Sequence, residues 1–339
     1  MIEIRAARIT NIDQLRDALQ NAIELEHATI PPYLVAYYTL SGASASVSYA
    51  KRSIRGIVNQ EMLHMALACN ILNAIGGTPR IADASFIPAY PGRLPMGIES
   101  SVEVHLKRYS RSLVEQTFMA IEEPEVPLII PVKSALLAPT EIRTIGQFYA
   151  SVRSEIVRQG EAIFTGKPEK QVTGASGASA VTNVSTAVAA INTIVEQGEG
   201  TPTSPAGMGT QVAHYYRFEE LAKGMKIVPD MASTLGFSFD PGQPIVIDDT
   251  ADVIQMVDDP QLASFEGDAA TLAQACDVAY SDLLRILDEA FDGMPDKIND
   301  AIDHMFGVLE PAITGVLAVQ LSSGPDRGKY AGPRFKFVA

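Results

Sequence analysis

Glu61-Met-Leu-His64 sets a carboxylate and an imidazole three residues apart inside the apolar run from Gly56 to Ile75. Residues at i and i+3 share a helix face, so both side chains can point at one cation. Glu26 lies upstream in a second apolar run, about as far before a loop centred near Ser44 as Glu61 lies after it. Two antiparallel helices about that loop would bring the two carboxylates to the same height. Tyr33 follows Glu26 by about two turns on the same face, where a phenol can hydrogen-bond a carboxylate or a metal-bound water. Glu26, Tyr33, Glu61 and His64 thus form half of a carboxylate-bridged two-metal site.

On most helices a Glu-x-x-His pair is solvated and binds nothing. Here Ile57, Val58, Met62, Leu63, Met65, Ala66, Leu67 and Ala68 surround the pair and leave little of the helix to face water. Ionised groups buried without a partner cost several kcal/mol, and a divalent metal is a partner for several at once.

Apolar periodicity places these residues on helices at about 12–40 and 50–75, with the Ser/Gly/Ala-rich stretch 41–48 as a loop. Gly76-Gly77-Thr78-Pro79 stops the second helix. The Pro/Gly-rich stretch from Phe86 to Met96 is too irregular for either period and is expected to be a lid over a pocket. Further helices are expected at about 110–122, 140–164, 184–197, 210–225, 269–291 and 295–321, with a flexible linker at 174–180 and an irregular stretch at 227–246. Strand-like alternation is scarce, so the fold class is all-α. Residues 1–230 read as a two-metal helical bundle and 231–339 as a helical extension packed on it. Pro31-Pro32 falls inside the first helix and predicts a kink just beyond Glu26 that widens the pocket.

The second half of the site must come from later residues: Glu115, Glu122, Glu155, Glu196, Glu199, His214 and Glu219 are the candidates. Glu122 ends the apolar Phe118-Met-Ala-Ile and Glu196 closes Ile191-Asn-Thr-Ile-Val, which favours inward-facing carboxylates. Glu199, between two glycines, fits either a close backbone approach or a surface turn. Glu155 sits among charges that suggest solvent. His214 is either the second imidazole or a core residue beside its aromatic neighbours, while His27, His105 and His304 read as structural.

The chain has 339 residues, 47% of them hydrophobic, which is enough for a sizeable core. Its formal charge of −14 argues against nucleic acid and anionic membrane as partners. Cys69 and Cys276 supply neither a disulfide framework nor a cysteine metal motif, and each reads as a small buried residue in a reducing compartment. The first residues, Met1-Ile-Glu-Ile-Arg, carry charge where a secretory signal is apolar, and no later run is long enough to span a membrane. A soluble cytoplasmic protein is expected, with self-association left open.

Several strings resemble the ferritin-like domain of the iminophenyl-pyruvate dimer synthase family, known from a violacein-pathway enzyme. They include Ala22-Ile-Glu-Leu-Glu-His-Ala-Thr-Ile-Pro-Pro-Tyr-Leu, Glu61-Met-Leu-His-Met-Ala-Leu-Ala-Cys-Asn, Tyr90-Pro-Gly-Arg-Leu-Pro, Phe118-Met-Ala-Ile-Glu-Glu-Pro-Glu, Thr144-Ile-Gly-Gln-Phe-Tyr, Ile194-Val-Glu-Gln-Gly-Glu-Gly-Thr, His214-Tyr-Tyr-Arg-Phe and Ala331-Gly-Pro-Arg-Phe. The resemblance implies a ferritin-like four-helix bundle with iron held between helices, long loops and extra C-terminal helices, and it favours Glu122, Glu196 and His214 over Glu155. On that reading Glu26 and Glu122 are terminal carboxylates, Glu61 and Glu196 bridges, and His64 and His214 the imidazole ligands of a di-iron site, with Tyr33 in a supporting catalytic role. The expected activity is O₂-dependent oxidation of a small organic substrate, such as an amino-acid- or indole-derived imine of secondary metabolism. Rival readings are a manganese catalase-like enzyme on the same ligands, a metal store, and a scaffold without metal.

Overall fold

A computed structural model of the chain describes residues 9–97, 102–124, 128, 130, 144–174, 177–201, 203–206 and 211–339. The charged start of the chain and the expected helix starts at 140–143 and 210 lie outside the described residues.

Helix α1 spans Ile12–Thr39 and α2 spans Ala45–Ala74. Asn11 caps α1 by accepting the Gln14 N–H, and Ser44 caps α2 by accepting that of Val47. The Ser44 cap starts α2 earlier than the small, polar composition of 41–48 suggested. Both prolines lie within α1, which runs through them as one element. They remove the N–H groups that would have bonded the His27 and Ala28 carbonyls. Tyr90 Oη donates to the Ala28 carbonyl at 2.8 Å and so supplies one of the missing bonds. The loop carrying Tyr90 is accordingly a packed strap rather than the expected lid. Phe86, Tyr90 and Leu94 are buried in the core and Phe86 lies against the His27 ring.

Helix α3 is a continuous rod of three pieces, Arg111–Leu113, Val114–Phe118 and Met119–Ile121, the middle one π-helical. A π turn inserts a residue and rotates the remainder of its helix, and Glu122 stands at the end of that rotated turn. Next come α4, Ile145–Gln159, and α5, Val184–Glu199, which starts at a reciprocal cap between Asn183 and Thr186. The bundle closes as a ring in which α1 packs on α2, α2 on α5, α5 on α4 and α4 on α1. Helix α6, His214–Lys223, packs on α3 and also on α2 and α5.

The stretch expected to be irregular contains an antiparallel hairpin, β1 Met225–Pro229 with β2 Phe237–Pro244. Ile227 and Phe239 face each other in its register and are both buried. The boundary expected at 230 falls within this hairpin. Helix α7, Gly267–Phe291, pairs with α8, a second composite rod of Ile298–His304, π-helical Met305–Leu309 and Glu310–Leu317. Helix α7 also reaches α2 and α8 reaches α1, so side chains of both join the core cluster of the bundle. Among the described residues no helix is long and apolar enough to cross a membrane.

Asn70 fastens the chain after α4 to α2. Its amide donates to the Val172 and Ser179 carbonyls at 2.7 and 3.0 Å and accepts the Val172 N–H at 3.1 Å. Loss of a buried side chain that satisfies three backbone groups leaves those groups desolvated and unpaired, at about 1–3 kcal/mol each before relaxation. Asn70→Ala is expected to lower unfolding free energy by about 2–4 kcal/mol in denaturant titration. A loss below about 0.5 kcal/mol would show that water replaces the amide.

Candidate metal centre

Helices α1 and α2 carry Glu26, Glu61 and His64 to one point, as their matched heights predicted. His64 Nδ1 stands 3.3 Å from Glu26 Oε2 and 3.8 Å from Glu61 Oε2. The second half comes from the end of α3 and the start of α6. His214 Nδ1 lies 2.7 Å from Glu61 Oε1 and 3.6 Å from Glu122 Oε2. Two groups result, Glu26–Glu61–His64 and Glu61–Glu122–His214, and within each the prospective ligand atoms lie within 4.8 Å of one another. Glu61 belongs to both groups. All five side chains are buried.

Each group is held from outside by matching contacts. Tyr149 of α4 donates to Glu26 Oε1 at 2.5 Å, and Tyr33 of α1 donates to Glu122 Oε1 at 2.7 Å. His64 Nε2 meets Gln197 Oε1 at 2.9 Å, and His214 Nε2 meets Gln60 Oε1 at 3.1 Å. Arg217 donates to the same Gln60 oxygen at 2.6 Å, which fixes it as an acceptor. An acceptor at each Nε2 keeps a proton there and presents both Nδ1 atoms to the carboxylates. Ligand histidines and carboxylates are commonly oriented in this manner, by an outer hydrogen bond that selects tautomer and direction.

The electrostatics call for a cation. Glu61 is raised well above the ordinary carboxylate range, first by burial and then by the charge of Glu122. Burial would raise Glu26 also, but the His64 hydrogen bond and charge, with the Tyr149 phenol, outweigh it and hold Glu26 low. His64 would be lowered by burial, yet Glu26 and Glu61 hold it above 6.5. Glu61 Oε1 and His214 Nδ1, though close, make no hydrogen bond and are left without a partner. Three carboxylates, two imidazoles and two unpartnered buried ligand atoms fit a pair of divalent metal ions.

Of the residues expected at the site, the structure brings together Glu26, Glu61, His64, Glu122 and His214, with Tyr33 on Glu122. Glu196 of α5 is half-buried and joins neither group; Leu25, Ile194, Val195, Gly198 and Glu199 line the adjoining cavity instead. At about 100° per residue, a helix that turns 195, 198 and 199 inward turns 196 away. Glu155 is buried rather than solvated, and Arg158 pairs with it at 2.5 Å. Glu115 is exposed, and Glu219 pairs with Lys223. His27 bonds Tyr280, His105 bonds Asp259 and His304 meets the Ala279 carbonyl, so none of the three joins the cluster. Tyr149, Gln60, Gln197 and Arg217 went unrecognised in the sequence. Gln60 and Gln197 each adjoin a proposed ligand, and that adjacency was the one available signal.

Residues 19–223, more than half of the chain, match the ferritin-like family. The chain belongs to that family. A crystal structure of a ferritin-like protein from Caulobacter vibrioides superposes with a TM-score of 0.62, covering 97% of this chain and 99% of the other at 21% identity, and so shares the fold. Among curated proteins, dichlorochromopyrrolate synthase of Lentzea aerocolonigenes is 24% identical over 96% of this ferritin-like chain. The alignment spans only 36% of that relative's own length. The matched family region ends at the close of α6.

Metal binding must displace the proton that Glu26 and Glu61 stabilise on His64, and the metal-bound imidazole is neutral at Nδ1. Because His64 is held above 6.5, protons compete with metal on both sides of that value, and metal affinity is expected to fall as pH drops from about 8 to about 6. Isothermal titration with Mn(II) across that range checks this. Constant affinity throughout would exclude His64 as a ligand.

Proposed function

We infer that the protein is an O₂-dependent di-iron oxidoreductase of a small organic substrate, with an amino-acid- or indole-derived imine as the substrate class. The observation that carries this reading is the pair of buried carboxylate–imidazole groups sharing Glu61. When bound there, two irons supply two-electron oxidation of an organic molecule by O₂.

The chain's own groups define what the site can do. Glu61, shared by the two groups, would bridge a metal pair, while Glu26 and Glu122 each keep one oxygen for the site because a tyrosine occupies the other. Gln60 and Gln197 hold the imidazoles in register. Leu25, Ile145, Ile194 and Val195 give the cavity beside the carboxylates an apolar wall. Such a wall limits water near the reacting atoms.

The distant likeness to dichlorochromopyrrolate synthase supports the choice of substrate class, since that name denotes synthesis of a chlorinated pyrrole carboxylate. It also supports the narrower reading of an iminophenyl-pyruvate dimer synthase-like enzyme, which the quoted sequence strings favour independently. A metal store is disfavoured because the site is enclosed by side chains that fix a small number of ligands.

Titration of the purified chain with Fe(II) in air is expected to saturate at about two irons per chain, the number a paired carboxylate–histidine site holds. The loaded protein should then consume O₂ when given imines formed in solution from arylpyruvates and ammonia. Uptake of tens of irons per chain would reject the enzyme reading in favour of storage. Brisk H₂O₂ disproportionation by a manganese-loaded form, without O₂ uptake by the iron form, would transfer the reading to a catalase-like activity.

A further inference from the structure

Glu199 lies on the wall of the cavity that Glu26, Glu61, His64 and Glu122 also line, yet it belongs to neither ligand group. Its Oε1 accepts the N–H of Gly146, the second residue of α4, at 2.6 Å. Gly146 makes that position accessible: a Cβ there would stand 2.5 Å from both Glu199 carboxylate oxygens. One residue earlier, Gly198 carries the α5 backbone close to the centre, since a Cβ at Gly198 would lie 3.6 Å from Glu122 Oε2. The carboxylate therefore rests beside the metal centre, on a flexible side chain whose backbone already borders one ligand.

Charge supplies the second argument. Glu26, Glu61 and Glu122 carry three negative charges, the imidazoles bind as neutral groups, and two divalent ions carry four positive charges. The net positive charge left in a buried site is costly unless another anion enters. Glu155, Glu196, Glu219 and Glu220 do not line the cavity, whereas Glu199 does.

We propose that Glu199 is the fourth carboxylate of the centre, resting on the Gly146 N–H without metal and moving onto the metal pair when it loads. This rests on the two-metal reading of the site.

The test is anaerobic titration of the full-length chain with Fe(II), and separately with Mn(II), in the wild type and in Glu199→Gln, Gly146→Ala and Glu196→Gln. Glutamine keeps an oxygen for the Gly146 N–H, so Glu199→Gln removes the charge and preserves the contact with α4. Glu199→Gln is expected to bind one metal equivalent at least about tenfold more weakly, a difference of about 1.4 kcal/mol. Glu196→Gln should stay within about twofold of wild type, and Gly146→Ala, which displaces the carboxylate from its resting place, should keep both equivalents.

Two equivalents bound by Glu199→Gln with wild-type affinity would overturn the assignment of Glu199 and leave the two-metal site standing. Equal weakening in Glu199→Gln and Gly146→Ala would overturn it too, since the contact with α4 would then matter and not the charge. A wild-type chain that takes up no metal would overturn the site itself, and the role of Glu199 with it.

Discussion

Three carboxylates and two imidazoles share one buried patch between α1, α2, α3 and α6, and Glu61 sits in the middle of it. Charges packed this closely in the interior repel one another and lose hydration, at several kcal/mol per ion. Without a cation the patch compensates only in part. His64 takes a proton against Glu26, Glu61 is pushed towards its neutral form, and Glu61 Oε1 and His214 Nδ1 stay unpartnered. A pair of divalent ions would relieve all three strains together, so the arrangement reads as a site kept ready for metal at the expense of the metal-free fold.

Much of the surrounding structure serves to hold that patch in shape. One tyrosine and one glutamine attend each ligand group, drawn from four different places in the chain: Tyr149 and Gln197 on the Glu26–His64 side, Tyr33 and Gln60 on the Glu122–His214 side. The π turn in α3 and the cap that starts α2 set where Glu122 and Glu61 emerge. Tyr90 repairs the backbone of α1 just past Glu26, at one of the two bonds the prolines remove. Helices α7 and α8 pack on α2 and α1 and share their core, and so back the two helices that carry three of the five clustered side chains.

The half of the site that rests on helical periodicity was legible in the sequence. Glu26, Glu61 and His64 could be placed because both helices are long and the loop between them is short, so counting residues is equivalent to measuring height. The other half was harder, because its ligands sit at helix ends. Glu122 comes after a π turn that shifts the phase of its helix, and His214 opens a helix whose first turn could not be located from apolar spacing alone. Glu196 was preferred to its neighbours because an apolar run led into it, but the rotation of α5 turns residues 195, 198 and 199 to the cavity instead. The strap from Phe86 to Met96 looked like a lid because proline and glycine exclude regular structure; composition could not reveal that Phe86, Tyr90 and Leu94 would be buried. The hairpin at 225–244 was missed because its strands carry prolines at their ends and a short alternation between them.

A pair of metal ions held here would have Glu61 in contact with both. Anomalous diffraction at the iron edge from crystals loaded with Fe(II) tests it directly. Two peaks per chain are expected, one among Glu26, Glu61 and His64 and the other among Glu61, Glu122 and His214. A single peak, or peaks at any other cluster of side chains, would contradict it.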